Sequence, residues 1–233
     1  MLLQADSSIP GIKCEHQTIV VQQAAADSTL ALWAKRFHAQ GRLKAWRNEL
    51  LPVAAIPQLN QTMLELPVPL ACVERSAARV LGILTHAVHL VGFSQAGDVW
   101  LQQRAHNKAT DPGLWDTLSG GLLSVGDSLI GGVYRETQEE AGLTAEQLSP
   151  LVAAGCTVQD RLVADGRILE AVWTFTSTLA SQAVPHNLDG EAIGFECLNR
   201  AQLAERVQQG LVTHEAQLAL HAAGLVFPHK SLI

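Results

Sequence analysis

The sequence predicts an α/β sandwich with a mixed β-sheet, preceded by a small α+β N-terminal domain. Strand-like segments lie on both sides of one strongly patterned helix within Gly121–Leu143, and such alternation is typical of a sheet covered by helices. The 233 residues fit one large domain, or a small domain appended to one of ordinary size. The chain is expected to divide near residue 70, into segments 1–70 and 71–233.

The N-terminal segment begins with a predicted amphipathic helix at residues 27–41. Its apolar residues fall on one stripe, and Gly41 marks its end; the stripe is formed by Leu30, Trp33, Ala34 and Phe37. A stretch punctuated by prolines follows, through Pro52, Pro57, Pro67 and Pro69. This small domain is expected either to shape a pocket or to form the contact of a homodimer.

The second segment alternates strands and helices. From Val80 the pattern becomes strand-like, turns at residues 95–98 and returns as VWLQQR, a predicted hairpin. Further strands are predicted at 151–160, 167–178 and 192–198, followed by helices at 200–208 and 213–223. The patterned helix lies between these two groups of strands, which is the basis of the sandwich prediction.

The patterned helix carries a cluster of charge. At about 100° per residue, Glu136, Glu139 and Glu140 share an arc of about 100°, and Arg135 lies on its flank. Like charges crowded in this way are unfavourable unless a cation lies among them, and Mg²⁺ prefers such oxygen ligands together with substrate phosphates. The pattern predicts a metal-assisted phosphate site; an ordinary surface helix with a charged face is the alternative.

The other face of the same helix is predicted to pack on a core. The predicted apolar stripe consists of Ile130, Tyr134, Thr137 and Ala141. Asp127 and Ser128 are N-cap candidates, and Gly142 is a stop signal. Gly132 lies on the carboxylate face, where it either lets a ligand approach or marks a close contact between helix and strand.

Composition excludes several classes of function. The net charge of −6 argues against nucleic-acid binding as the main activity. The sequence shows no apolar run of about 18 residues and no signal-peptide pattern, so neither a membrane span nor a secretory signal is expected. The cysteines form no CxxC pair and are expected to be reduced thiols in a cytoplasmic protein; they are Cys14, Cys72, Cys156 and Cys197.

The segment GLLSVGDSLIGGVYRETQEEAGL resembles the Nudix signature, GX5EX7REUXEEXGU, where U is a bulky aliphatic residue. Six fixed Gly, Arg or Glu residues match in register, and at about 6% usage each a chance match is on the order of 10⁻⁵. Two positions depart from the signature. Asp127 replaces the first Glu, which puts an ion pair with Arg135 in doubt, and Thr137 replaces an aliphatic residue.

The resemblance extends beyond the signature. WRNE at 46–49, ER at 74–75, HAVH at 86–89, LQQRAHNKATDPGLWDTLSGG at 101–121 and NLDGEAIGF at 187–195 are similar to segments of one Nudix branch. That branch is related to the Nudix domain fused to thiamine pyrophosphokinase and has an extra N-terminal domain. The resemblance implies a hydrolase of a diphosphate linkage in a thiamine-diphosphate-like or nucleoside-diphosphate-like small molecule, with sequence ties to isopentenyl-diphosphate isomerases.

The resemblance also implies roles for the signature residues. Glu136, Glu139 and Glu140 would hold Mg²⁺ or Mn²⁺, and Glu139, Glu140 or a loop carboxylate would activate the attacking water. Arg135 would orient a carboxylate. Two glycines would let the loop approach the diphosphate; they are Gly120 and Gly121.

Four further residues are candidates for contact with the substrate. Arg104 and Lys108 supply cations just upstream of the signature, although a solvated strand end explains them equally. Glu191 is either an added metal ligand or base, or part of a polar turn. Trp115 either stacks on a heteroaromatic ring or packs in the core.

Two histidines are rejected as a metal pair. His86 and His89 are three residues apart on a predicted strand and point to opposite faces, so they cannot chelate one ion. His89 can still border the pocket through a hydrogen bond.

Two alternative functions remain open. An isomerase would need an activated protonating acid, commonly Cys, and neither Cys72 nor Cys156 lies in an activating sequence context. A non-catalytic ligand-binding module is expected to lose a signature Glu, and all three are present.

Overall fold

The computed structural model describes residues 12–15, 18–43, 45–55, 65–108 and 110–227. The strands in these ranges are β1 (Ile12–Glu15), β2 (Thr18–Val21), β3 (Leu50–Val53), β4 (Ala71–Glu74), β5 (Leu84–Phe93), β6 (Val99–Arg104), β7 (Trp115–Asp116), β8 (Ser119–Leu122), β9 (Val152–Val163), β10 (Gly166–Thr178) and β11 (Ala192–Leu198). The helices are α1 (Ala26–Ala39), α2 (Arg75–Leu81), α3 (Leu129–Ala141), α4 (Arg200–Gln208) and α5 (His214–Ala222). In the part of the chain so described, no helix is both long and apolar enough to cross a membrane.

A seven-stranded sheet forms the centre of the structure. Its main path runs β11–β6–β5–β10–β9, with β7 paired to β6 and β8 paired to β5. Strands β5 and β10 are parallel, with Leu84 opposite Leu169, whereas the other pairs are antiparallel. The sheet is therefore mixed, as predicted.

Helices cover both faces of this sheet. Because successive strand residues point to opposite faces, Val88 and Leu90 of β5 pack in the cluster that contains α3, whereas Val91 packs in the cluster that contains α4 and α5. This arrangement is an α/β sandwich, and the predicted fold class is confirmed.

The N-terminal elements pack in a third apolar cluster. The stripe predicted for α1 is buried in it, with Ala34 fully inaccessible. Strands β3 and β4 pair in an antiparallel ladder from Leu50–Glu74 to Val53–Ala71. This ladder joins residues on both sides of residue 70, and the domain boundary at residue 70 stays a prediction.

The strand predicted to start at Val80 starts later. Residues 75–81 form α2, which begins after Glu74, whose carboxylate accepts a hydrogen bond from the Ser76 amide, and which ends at Gly82 with φ of 64°. The prediction therefore assigned only the last two residues of α2, Val80 and Leu81, to the strand, because a seven-residue helix is too short to show its period beside the strand that follows. The remaining predicted strands and helices agree with the structure within three residues.

Candidate active site

Helix α3 begins and ends where its sequence predicts. Ser128 Oγ accepts a hydrogen bond from the Gly131 amide at 3.0 Å, and Gly142 ends the helix with φ of 64°. The predicted core stripe is shifted, however, because Ile130 is 38% exposed. The helix rests instead on its i, i+4 row, which is formed by Leu129, Val133, Thr137 and Ala141.

Glu140 is the most deeply placed carboxylate of the signature. Its side chain is buried, with the residue 4% exposed, and Oε2 accepts hydrogen bonds from the Gly120 amide at 2.9 Å and from Gln102 Nε2 at 2.7 Å. Burial, together with the nearby charge of Glu136, raises the pKa of Glu140 to about 8. The structure thus holds Glu140 in one orientation at the end of the glycine loop.

Glu136 lies against Gly121. A β-carbon at Gly121 would lie 2.4 Å from the carboxylate carbon of Glu136, so only glycine leaves room for this side chain. Burial raises the pKa of Glu136, although Arg135 at 2.8 Å and the more distant Arg75 oppose the shift. The signature glycine therefore sets the position of a carboxylate, in addition to its predicted role of admitting the substrate.

Arg135 connects the acidic residues around it. Its guanidinium donates to Asp127 at 2.8 Å, to Glu136 at 2.8 Å and to Glu139 at 3.1 Å. The shorter Asp127 therefore still reaches Arg135, and the sequence-based doubt about this ion pair was wrong. Asp127 reaches Arg135 because its loop lies close to α3. The Ser124 amide donates to the same carboxylate oxygen at 3.0 Å.

Gly132 and Thr137 serve packing. A β-carbon at Gly132 would lie 2.3 Å from Leu123 Cδ2, just after β8, and 3.5 Å from Val88 Cγ2 of β5, so this glycine marks a close contact between α3 and the sheet. Thr137 is fully buried, and its hydroxyl lies 2.7 Å from the hydroxyl of Ser119. Neither position provides access for a ligand.

A cleft of about 1010 Å³ opens beside this face of α3. It brings together nearly all of the predicted site residues, which are Arg104, Lys108, Gly120, Gly121, Arg135, Glu136, Glu139, Glu140 and Glu191. Residues remote in sequence therefore meet in one concave surface of the size that small-molecule sites have.

The predicted cations of the cleft are themselves held by acidic residues. Arg104 donates to Asp116 at 3.0 Å and to the Thr110 carbonyl at 3.0 Å. The Lys108 ammonium binds the carboxylate of Glu191. Burial raises the pKa of Glu191, but this hydrogen bond and the charges of nearby cations outweigh it and hold the pKa below the usual value. Glu191 therefore approaches the cleft as an ion-paired carboxylate.

Trp115 lies elsewhere. It is 7% exposed and packs among the apolar side chains beneath α4 and α5, with the Arg206 guanidinium 4.4 Å from its ring centroid. It is not among the residues that line the cleft, so the prediction that it stacks on a substrate ring is corrected to core packing. Its indole is large and apolar, and the covered face of the sheet buries it.

The two histidines of β5 separate as predicted. His86 accepts a hydrogen bond from Trp173 Nε1 at 3.2 Å, and burial lowers its pKa to about 4, so its imidazole is neutral. His89 lines the cleft, where its Nδ1 lies 2.9 Å from Thr117 Oγ1. Gly120 is required beside it, because a β-carbon there would lie 2.7 Å from the same nitrogen.

Another wall of the cleft comes from residues before β5. Arg42, Arg47, Glu49, Arg75 and Arg79 line it. Glu49 binds Arg75 at 2.8 Å and accepts a hydrogen bond from Ser124 Oγ at 3.0 Å. Sequence reasoning missed this wall, although the WRNE and ER segments contain three of these residues, because their convergence depends on the β3–β4 pairing.

The donor chemistry of α3 fits a divalent cation. Glu136 and Glu140 offer oxygen ligands, and their mutual repulsion is the kind that a cation relieves. Among the residues that the structure describes, no group of three or more acidic, His or Cys side chains is already arranged to hold a metal ion. Arg135 holds an oxygen of Glu136 and of Glu139, so the carboxylates are spread along the cleft and not gathered around one point.

Known proteins share this sequence pattern. The family model described as the NUDIX domain matches residues 84–216. Nudix hydrolase 20, chloroplastic, of Arabidopsis thaliana is 30% identical over 173 residues, which are 73% of this chain and 44% of that protein. Nudix hydrolase 24, chloroplastic, of the same plant is 28% identical over 73% of this chain and 45% of that protein. The chain spans less than half the length of these relatives.

A solved structure supports the fold. The crystal structure of DR0079 from Deinococcus radiodurans is similar with a TM-score of 0.50 and 16% sequence identity, over 75% of this chain and 99% of that chain. The NUDIX match covers more than half of this chain and includes all of α3. The chain belongs to the Nudix domain family.

Proposed function

We propose that this protein is a hydrolase that uses Mg²⁺ or Mn²⁺ to cleave a diphosphate linkage in a small molecule. The observation that carries the proposal is a pair of carboxylates, the partly buried Glu136 and the buried Glu140, held against Gly121 and Gly120 in a cleft that also contains cations. A cleft with acidic ligands on one side and guanidinium groups around it suits a metal-bound diphosphate.

The metal would be held by Glu136, Glu139 and Glu140. When bound, it neutralises charge on the phosphate oxygens and lowers the pKa of a bound water molecule. The protein's own contribution is to fix the carboxylates: Gly120 and Gln102 orient Glu140. Arg135 orients Glu136 and Glu139 in the same way, and its own pKa is raised, so it keeps its charge.

We assign water activation to Glu139. The side chain of Glu139 is 53% exposed, so water reaches its carboxylate. The carboxylate of Glu140 is buried and is held by hydrogen bonds from Gln102 and Gly120. Arg104 and Lys108 lie in the same cleft, and we propose that they bind phosphate oxygens when a substrate competes with their acidic partners. Hydrolysis would give a monophosphate and either phosphate or a second monophosphate.

The substrate class proposed is a nucleoside-diphosphate-like or thiamine-diphosphate-like molecule. The cleft volume supports an organic group beyond the diphosphate, and the segments at 46–49 and 74–75 that resemble the thiamine-related branch lie partly in its wall. The homodimer and the cytoplasmic location stay predictions; the Arabidopsis relatives are named chloroplastic proteins.

The decisive experiment is a phosphate-release screen of the purified protein. Nucleoside diphosphate sugars, dinucleotides, thiamine diphosphates and prenyl diphosphates are supplied with Mg²⁺, with Mn²⁺ or with EDTA. We expect hydrolysis in the presence of metal, and a loss of at least about 10²-fold in kcat for Glu139→Gln and Glu140→Gln with the fold intact. The matched control is Glu205→Gln on the exposed face of α4, which should keep full activity. Turnover that survives EDTA and both changes would exclude the mechanism.

No observation favours the isomerase. Burial raises the pKa of the Cys156 thiol to about 12 and also raises that of Cys72 and Cys197, so none of these three is activated. None of the three lines the cleft. Isomer analysis of the prenyl diphosphate reaction in the same screen separates isomerisation from hydrolysis, and a protein that binds diphosphates without turning them over would be the ligand-binding module.

A further inference from the structure

A second polar cluster lies in the same cleft, away from the signature helix. Glu170 of β10 lines the cleft and lies opposite Thr85 in the parallel ladder with β5. Its two carboxylate oxygens accept hydrogen bonds from Gln159 at 2.9 Å and from Thr85 at 3.3 Å. The Nudix signature does not include any of these residues.

This cluster has more negative than positive charge. Arg161 binds both Asp111 at 3.2 Å and Glu215 at 3.0 Å, and the amide of Gln159 is shared between Glu215 and Glu170 at 2.9 Å each. This set of contacts therefore contains three carboxylates and one guanidinium, which binds two of them. The side-chain oxygen of Gln159 is buried and has no hydrogen-bond partner among the described residues. The side-chain amide nitrogen points at two carboxylates, and this orientation leaves the oxygen unpaired.

The surrounding positive charge only partly compensates Glu170. Arg79 favours its charged form, but Arg79 already lies 4.0 Å from Asp165 and donates to Thr110. Burial, and then the charge of Glu215, raise the pKa of Glu170. A carboxyl group in this situation gains free energy when a donor or a positive charge enters the cleft beside it.

The ladder of β5 fixes how far this cluster lies from the signature. Gly120, which binds Glu140, lies opposite His89, and Glu170 lies opposite Thr85. Four residues along β5 separate Thr85 from His89 by about 13 Å, and the separation of Gly120 from Glu170 is larger because their strands flank β5 on its two sides. A substrate whose diphosphate lies at Glu140 would reach Glu170 only if its organic group extended across β5 in that direction.

We propose that Glu170 determines substrate specificity by accepting a hydrogen bond from an N–H or cationic group in the organic half of the diphosphate substrate. This inference rests on the proposed hydrolase function and names the feature that its substrate must carry. The metal ligands select the diphosphate, and Glu170 selects a nitrogen-containing, donor-bearing group at the other end. Purely hydrocarbon diphosphates would lack that contact.

The test compares two substrates and three proteins. Thiamine diphosphate carries an amino group and a cationic ring, whereas isopentenyl diphosphate carries neither; phosphate release gives kcat and KM for each. We expect wild type to prefer thiamine diphosphate by at least about tenfold in kcat/KM, the scale of a hydrogen bond to a charged group. Glu170→Gln, which keeps an acceptor oxygen but loses the charge, should reduce this preference through KM. The control Glu196→Gln, whose carboxylate binds Arg206 outside the cleft, should retain it.

A further measurement isolates the diphosphate end. Inhibition by methylenediphosphonate, which has no organic group to reach Glu170, should be the same in wild type and Glu170→Gln. Circular dichroism establishes whether the Glu170→Gln variant is folded. If the variant does not fold, the substrate preference of the wild-type protein still tests the inference. Equal kcat/KM for both substrates in wild type, or an unchanged preference in a folded Glu170→Gln, overturns the role of Glu170 while leaving the hydrolase standing. No hydrolysis of any diphosphate by wild type overturns the proposed function, and the inference with it.

Discussion

Replacing Gly121 by alanine tests how the signature glycine acts. The new β-carbon would lie 2.4 Å from the carboxylate carbon of Glu136, whereas ordinary contacts begin at 3.4 Å, so the carboxylate must move by about 1 Å. Because the obstructing atoms are the end of a flexible side chain, we expect the fold to persist. A displacement of about 1 Å in a catalytic group costs on the order of 10²-fold in rate. Phosphate release in the presence of Mg²⁺ measures kcat, and thermal unfolding measures stability.

Gly194→Ala is the matched control. Gly194 also lies in a strand, and a β-carbon there meets nothing within 4 Å, so this variant should keep its activity. If Gly121→Ala turns over substrate within about threefold of wild type while Gly194→Ala does the same, then Glu136 tolerates the shift. The steric account of Gly121 would then be refuted.

Three further changes probe separate parts of the structure. Asp127→Glu should alter kcat/KM by less than about fivefold, because the shorter carboxylate already binds Arg135 and an ion pair of this kind is worth at most about 1 kcal/mol; a large gain would show that the pair is imperfect. Arg75→Gln should raise KM for a diphosphate by about tenfold with kcat less affected, because a cation leaves the cleft wall, whereas the exposed Lys35→Gln should change neither. Glu215 has its pKa lowered to about 2 from 4.5, chiefly by hydrogen bonds that outweigh burial; its contribution to stability is therefore complete above pH 4.5 and is lost as the pH falls toward 2. Glu215→Gln should lower the free energy of unfolding by up to about 3 kcal/mol at pH 7. Denaturant unfolding should show that the difference in unfolding free energy from wild type becomes smaller at acid pH, and a constant difference would contradict this.

The signature helix was predictable because its determinants are local. Ser128 and Gly142 act on backbone groups within one turn, and the period of the helix places Glu136 and Glu140 on one side. The predicted core face is rotated about the helix axis relative to the observed one, because Ile130 was expected to be buried and is exposed. The spacing of hydrophobic residues predicts that a helix is amphipathic. Which of its residues face the core depends on the sheet on which it packs.

The rest of the site depends on contacts between distant segments. Gln102 reaches Glu140 from β6, and Thr85 meets Glu170 only through parallel pairing of strands 85 positions apart. No local period encodes such pairings. Trp115 shows the same limit, because its sequence is compatible with a ring-stacking role and only the packing of α4 and α5 places it in the core.

Residues of the N-terminal segment line the cleft, which is consistent with one of the two roles expected for it. Its Glu49 accepts a hydrogen bond from Ser124, and the Leu50 carbonyl accepts one from the Val125 amide at 2.9 Å. Ser124 in turn donates its amide to Asp127, which binds Arg135. The loop that leads into α3 is therefore held from the N-terminal side by two hydrogen bonds. The same segment also adds Arg42 and Arg47 to the lining, so a protein with net charge −6 brings guanidinium groups into a cleft that is otherwise rich in acidic side chains. The net charge of a whole chain therefore does not decide which charged groups one cleft presents.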